Sequence, residues 1–324
     1  VSNNMNILYK YYSLKKEILN LDELHLYDIY TPLIKNFEKK YSYEEAKETV
    51  LKALSILGED YISTLEKGLE NNWVDVYPSL SKRTGGYSGG SYDTAPYILL
   101  NYQEKYNDMS TLAHEAGHSM HSYYTRKNNS YQYGDYSIFV AEVASTTNEI
   151  LLAKYLLKTS NNKEEKLFIL DNLMNLFKAT IYRQTMFAEF EQAIYKDAEN
   201  DIPLTADYLS EKYYTLNQKY FGRDVVIEKE IQYEWARIPH FYYDFYVYKY
   251  ATGLSAACHI ANDILSGKEN AVENYKSFLK CGSKKNPIDS LKLAGVDLTK
   301  KEVVESAINM FNDTIDEFKN LTEE

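Results

Sequence analysis

Cysteine is almost absent: Cys258 and Cys281 are the only two in 324 residues. A disulfide-held scaffold of this size would use more of them, so stability must come from a buried core, and a reducing cytoplasm is the expected setting. The sequence also lacks any run of about 18 apolar residues, the least that a membrane-crossing helix needs, and no membrane partner is expected. Basic residues are in deficit. The 36 Lys and Arg against 47 Asp and Glu leave a net charge of -11, and an acidic surface repels nucleic acid and anionic lipid alike. No nucleic-acid partner is expected. A fixed-period repeat is missing, which argues against a helical solenoid. The opening VSNNMNILYKYYSLKKEIL lacks the basic-then-apolar layout of a signal peptide. It begins on Val1 and runs straight into helical periodicity, as an internal piece of a longer protein would.

What is present is apolar content of 44% arranged mostly at helical spacing, enough for a large core or two modest ones. Leu8, Tyr11, Tyr12 and Lys15 open the first helix. Ser42-Tyr-Glu-Glu is a capping-type start leading into Val50, Leu54 and Leu57. The same periodicity returns over Lys163 to Ala198, Thr205 to Phe221, Tyr242 to Ile264 and Lys300 to Phe318, with Gly267 and Gly282 as stops or turns. The 33 tyrosines fall largely at these spacings and are expected to bury a ring while the hydroxyl finds water or a polar partner. A nucleic-acid stacking surface would need basic residues among the rings. One segment departs from helix: Ser81-Lys-Arg-Thr-Gly-Gly-Tyr-Ser-Gly-Gly-Ser-Tyr-Asp, then Pro96-Tyr-Ile-Leu-Leu-Asn-Tyr. Its glycines and short apolar run suit a hairpin, though the composition fits a surface loop as well. No Gly-Lys-Ser/Thr ending follows, so a phosphate loop is not expected.

The string Thr111-Leu-Ala-His-Glu-Ala-Gly-His-Ser-Met-His contains H-E-x-x-H. On a helix, positions i and i+4 share a face about 6 Å apart, so His114 and His118 can converge on one ion. Glu115 lies about 100° round the helix, poorly placed as a ligand but able to reach a water on the metal. Two histidines satisfied within a helix interface is the alternative. The metzincin continuation is missing, with neither the glycine nor the third histidine where that class requires them. His121 follows on the same face but a turn further along, beside the site rather than in it. Glu142, in Ser137-Ile-Phe-Val-Ala-Glu-Val-Ala-Ser-Thr-Thr-Asn-Glu, is the better third ligand, since a carboxylate amid apolar and small residues is costly unless paired or metal-bound. Two histidines and a glutamate leave a fourth position of Zn²⁺ for water. Glu149, seven residues on, either orients a ligand or lies on an exposed face.

HEAGHSMH, FVAEVASTTNE, KRTGGYSGGSYDTAPYILLNY and IPHFYYDFYVYKYATG, in that order, resemble oligoendopeptidase F of the thimet oligopeptidase-like zinc peptidases. The resemblance extends from LNLDELHLYDIY to NPIDSLKLAGVDLT. It implies a mainly α, zincin-like catalytic domain over residues 1–324 with a small β-hairpin or sheet beside the active-site helix. It also implies one Zn²⁺ per chain on His114, His118 and Glu142, with Glu115 as general base and oligopeptides as substrates. His240, Tyr243 and Tyr250 match residues that bind substrate and stabilise the tetrahedral intermediate; core packing is the other role open to the tyrosines. A peptide-binding module without catalysis is the alternative function. The family is about twice as long, so an N-terminal portion bearing the other wall of the channel is expected to be missing, or replaced by self-association, unless the chain is naturally short.

Overall fold

The computed structural model describes residues 1–35 and 37–324. In chain order its helices are α1 (Met5–Ile18), α2 (Tyr43–Leu54), α3 (Glu59–Glu70), α4 (Tyr106–Asn128), α5 (Ile138–Thr159), α6 (Lys163–Phe177), α7 (Gln184–Glu199), α8 (Ala206–Phe221), α9 (Tyr248–Leu265), α10 (Ala271–Leu279), α11 (Pro287–Leu293) and α12 (Glu302–Glu323). The strands are β1 (Leu24–His25), β2 (Val74–Asp75), β3 (Tyr87–Gly89), β4 (Tyr97–Leu99) and β5 (Val225–Val226). Helix predominates, as the periodicity predicts. No helix among the described residues is long and apolar enough to cross a membrane.

The chain forms two compact units. One comprises residues 1–37, 162–252 and 304–324; the other comprises 38–161 and 253–303. The second is built around α4 and α5. Met109, Leu112, Ala116 and Met120 of α4 and Val140, Val143, Ala144 and Leu151 of α5 are buried. Gly117 permits their close crossing: a Cβ there would lie 2.6 Å from the Ala144 carbonyl oxygen, less than any real contact. Asn148 crosses the same interface, its amide donating to the Ala113 carbonyl at 3.0 Å and the Tyr61 hydroxyl at 3.2 Å. Helix α2 begins with the expected capping box, Ser42 Oγ accepting from Glu45 N–H at 3.2 Å and the Glu45 carboxylate accepting from Ser42 N–H at 2.8 Å.

The glycine-rich segment is a hairpin. Tyr87, Ser88 and Gly89 pair antiparallel with Leu99, Ile98 and Tyr97, and Gly85 and Gly90 take φ of 88° and 133°, open to glycine alone at little cost. The unforeseen β2 adds a parallel partner to β4, giving the order β2-β4-β3 with β3 at an edge. The hairpin lies against α4, where the Ser88 and Ser119 hydroxyls are 2.8 Å apart.

The first unit has an aromatic core in which Phe311 of α12 meets Tyr11, Phe177 and Tyr182, with ring centroids 5.5–5.8 Å apart. Their hydroxyls behave as expected, Tyr11 reaching Asn175 at 3.3 Å and Tyr182 the Asn4 carbonyl at 3.1 Å. The unit is tied end to end by Lys10, whose ammonium is 2.6 Å from Asp316. Thr205 caps α8 as a helix start should. Two departures from the sequence reading occur here. The run from Lys163 is helical to Glu199, but Lys178–Arg183 form a π-helical turn between α6 and α7. The helix expected from Tyr242 begins at Tyr248: Asp244 and Phe245 have φ of 49° and 55°, which cannot continue an α-helix, and Phe245 N–H donates to Glu191 at 2.7 Å instead of to a helical carbonyl.

Candidate metal centre

His114 and His118 stand on one face of α4, and the α4–α5 crossing at Gly117 sets Glu142 opposite them. Their Nε2 atoms are 3.2 Å apart, and Glu142 Oε2 is 3.4 Å from the first and 3.7 Å from the second. One ligand atom from each of the three lies within 4.8 Å of the others. Their side chains are 18–29% exposed, so solvent reaches the cluster. Gly253 of α9 faces the Glu142 Cβ, and a Cβ in its place would come within 3.3 Å. The site therefore rests between two glycines, one of which admits the helix and the other the glutamate.

Each member has an outer partner. Glu149 Oε2 is 3.4 Å from His114 Nδ1, so Glu149 occupies the orienting position rather than a free surface. The His118 ring hydrogen-bonds the Ala141 carbonyl, and Ser145 Oγ donates to Glu142 Oε2 at 3.2 Å. The electrostatics reflect three groups aimed at one point. Burial disfavours the charged His114 imidazole, but Glu142 and Glu149 outweigh it and hold its pKa up at about 10. Burial, then the His114 charge, pushes His118 down to about 4. Burial would raise the Glu142 carboxyl, yet its bond to His114 and the charge of His118 bring it below the usual range. Two imidazole nitrogens, each on a ring whose other nitrogen is anchored, and a carboxylate oxygen that Ser145 steadies are a donor set that fits a divalent metal ion while leaving a coordination position open.

Glu115 is buried and outside this trio. Its carboxylate receives the backbone N–H of Ser88 in β3, and burial, the largest influence, raises its pKa. The hairpin thus touches the residue next to the first histidine. His121 is fully buried, stacked face to face on Tyr136 with centroids 3.6 Å apart and held down to about 3 by burial. It too lies outside the trio.

His240, Tyr243 and Tyr250 belong to the other compact unit. His240 meets Tyr243 edge-on at 5.7 Å, and Tyr246, which sequence reasoning passed over, joins them: it is 5.6 Å from His240, 6.1 Å from Tyr243 and 5.7 Å from Tyr250. The near-regular spacing 240, 243, 246, 250 was the available signal. Glu191 was not detectable from sequence. It is one acidic residue in a charged amphipathic helix, and only the fold reveals its buried carboxylate beneath Phe245.

Residues 1–310 match Peptidase family M3. Oligopeptidase PepF of Bacillus subtilis is 53% identical over 99% of this chain and 48% of its own length. The chromosomal oligoendopeptidase F of Lactococcus lactis subsp. cremoris is 44% identical over 100% and 54%. Among solved structures, a Chlamydophila abortus chain superposes with a TM-score of 0.92 at 44% identity, covering 99% of this chain and 54% of that one. Oligoendopeptidase-F from Enterococcus faecium gives 0.76 at 36%, covering 99% and 51%. This chain spans about half the length of the curated relatives it matches. Because the likeness runs through both compact units and is not confined to the histidine helix, the chain belongs to Peptidase family M3.

Proposed function

We propose that this chain carries the catalytic machinery of a zinc-dependent endopeptidase acting on short oligopeptides, with one Zn²⁺ held by His114, His118 and Glu142. The observation that carries the reading is the convergence of these three donors while Glu115, the neighbour of a ligand, stays out of the set. When bound, zinc would supply Lewis acidity, bringing the pKa of a water toward 7 and polarising the scissile carbonyl. Glu115 takes the proton of the attacking water and returns it to the leaving amine; its raised pKa suits a group that must hold and release a proton. A donor among His240, Tyr243 and Tyr250 would join the metal in stabilising the carbonyl oxygen as negative charge develops, a contribution worth on the order of 10² in rate. β3 stands at an edge of its sheet, and its backbone groups other than the Ser88 N–H, which Glu115 holds, can bond an extended peptide without reading its side chains, which gives broad specificity.

In this reading residues 1–324 act as one catalytic part, and the further length of its relatives corresponds to an enclosing wall or to a role filled by self-association. Two free, buried cysteines support work in the cytoplasm. The test is hydrolysis of a short internally quenched peptide and of a folded protein, each with and without a chelator. Weak, chelator-sensitive turnover of the peptide, restored by zinc, is expected. Efficient cleavage of the folded protein would refute the oligopeptide reading, and zinc binding without any hydrolysis would favour a binding module.

A further inference from the structure

The π-helical turn Lys178–Arg183 forms one wall of a cavity of about 340 Å³ within the first compact unit. Such turns interrupt helices at a cost and recur at functional sites. The cavity is apolar over most of its wall, through Leu8, Tyr12, Met186 and Phe221, and Lys178 reaches it from the π turn. Its size falls within the range of small-molecule sites, roughly 300–1,000 Å³, at the end that holds one ring.

Negative charge is what the cavity lacks. Lys178 is almost fully buried, and its ammonium donates to two neutral acceptors, Asn175 Oδ1 at 2.9 Å and the Ile29 carbonyl at 3.3 Å. Lys15 is fully buried beside the Thr31 carbonyl. Among the described residues neither ammonium has a carboxylate within 4 Å. Asp171 is the nearby buried anion that acts on both, and its oxygens are already engaged by Leu33 N–H at 3.0 Å and the Asn175 amide at 3.0 Å. Arg183, which also lines the cavity, is paired with Glu234 at 2.7 Å, an oxygen that it shares with the exposed Arg237. Lys15 also feels the half-buried Asp28, whereas Lys178 has Asp171 as the one carboxylate acting on it, and shares that one with Lys15. Burial, then the charge of Lys15, lowers Lys178 to about 8. A buried cation without a counter-ion is costly, and an anion arriving at Lys178 would relieve that cost.

We propose that this cavity binds a small organic acid, a monocarboxylate on an aromatic or branched aliphatic body, with the carboxylate at Lys178 and the body among Leu8, Tyr12, Met186 and Phe221. None of these residues belongs to the metal trio.

The probe is phenylacetate, with phenylacetamide as an uncharged mimic of the same shape, titrated calorimetrically into the full chain. The acid should bind at least tenfold more tightly than the amide. Lys178→Met should weaken it at least tenfold, and Ala179→Leu, which fills the cavity from the π turn without touching the charge, should abolish binding. If Lys178→Met does not fold, Ala179→Leu decides. Chelation of the metal should leave the affinity unchanged, so this outcome is separate from the fate of the peptidase reading. Absence of acid binding at millimolar concentration, equal binding of the amide, unaltered affinity in the folded variants, or loss of binding on chelation would each overturn the proposal.

Discussion

Among single residues, His114 and Glu115 are adjacent on α4 but point about 100° apart, and their partners differ accordingly. Glu115 is held by a β3 amide while its neighbour His114 faces Glu142, so removing charge from Glu115 should leave the ion in place. Glu115→Gln is expected to keep one zinc per chain by elemental analysis and to lose hydrolysis by about 10²–10⁴; loss of metal equal to that in His114→Ala would remove it from this role. Glu142→Ala is expected to lower zinc affinity in competition with a chelator, whereas His121→Ala, which removes a stacked ring and no donor to the trio, should change it little. Lys178 yields a pH prediction. Its folded pKa of about 8 lies below its ordinary value of 10.5, so between these the unfolded chain holds more protons and stability rises with pH. Below pH 8 the burial cost is fully present. Relative to Lys178→Met, the chain should gain about 1.4 kcal/mol per pH unit across that window in denaturant unfolding, the tyrosine contributions being common to both.

Elements were legible where local chemistry agreed with the fold. The Ser42 capping box and the helical runs from Lys163 and Thr205 were all readable, since side-chain spacing alone dictates them. The delayed start of α9 was not, because it follows from a hydrogen bond between Phe245 and a residue 54 positions away. The π turn changes the hydrogen bonding from i+4 to i+5, which no residue type signals, so the run reads as one helix in sequence. Of the site, His114 and His118 were legible because i,i+4 spacing is a local geometry, and Glu142 because a carboxylate stands out amid apolar and small residues. What could not be read was the role of Gly117, which looks like an ordinary helix weakness. The α4–α5 crossing needs its missing side chain. Gly117→Ala should cost about 1–3 kcal/mol in thermal or denaturant unfolding, despite the better helix propensity of alanine, and should weaken zinc binding by displacing Glu142 from the histidines. A more stable variant with unchanged metal affinity would show that the crossing tolerates the methyl group.

For the molecule as a whole, the division into two units was not evident in the composition, because each unit is assembled from separated stretches of chain. The second unit is complete by residue 303; the first awaits residues 304–324. Removing residues 304–324 should expose Tyr11, Phe177 and Tyr182, which Phe311 now covers, and open the first unit to limited proteolysis, while a zinc-binding fragment containing residues 38–303 persists. Equal protease resistance of both units would show that α12 is dispensable. The end-to-end tie between Lys10 and Asp316, 306 positions apart, also has a consequence for biosynthesis. A ribosome adding about 5–20 residues per second delivers α1 well before its partner helix exists. During that interval the second unit can close, while Tyr11 of α1 still lacks the Phe311 ring that packs on it in the finished unit. The exposure of this face of α1 therefore outlasts the closure of the second unit and ends only when α12 emerges.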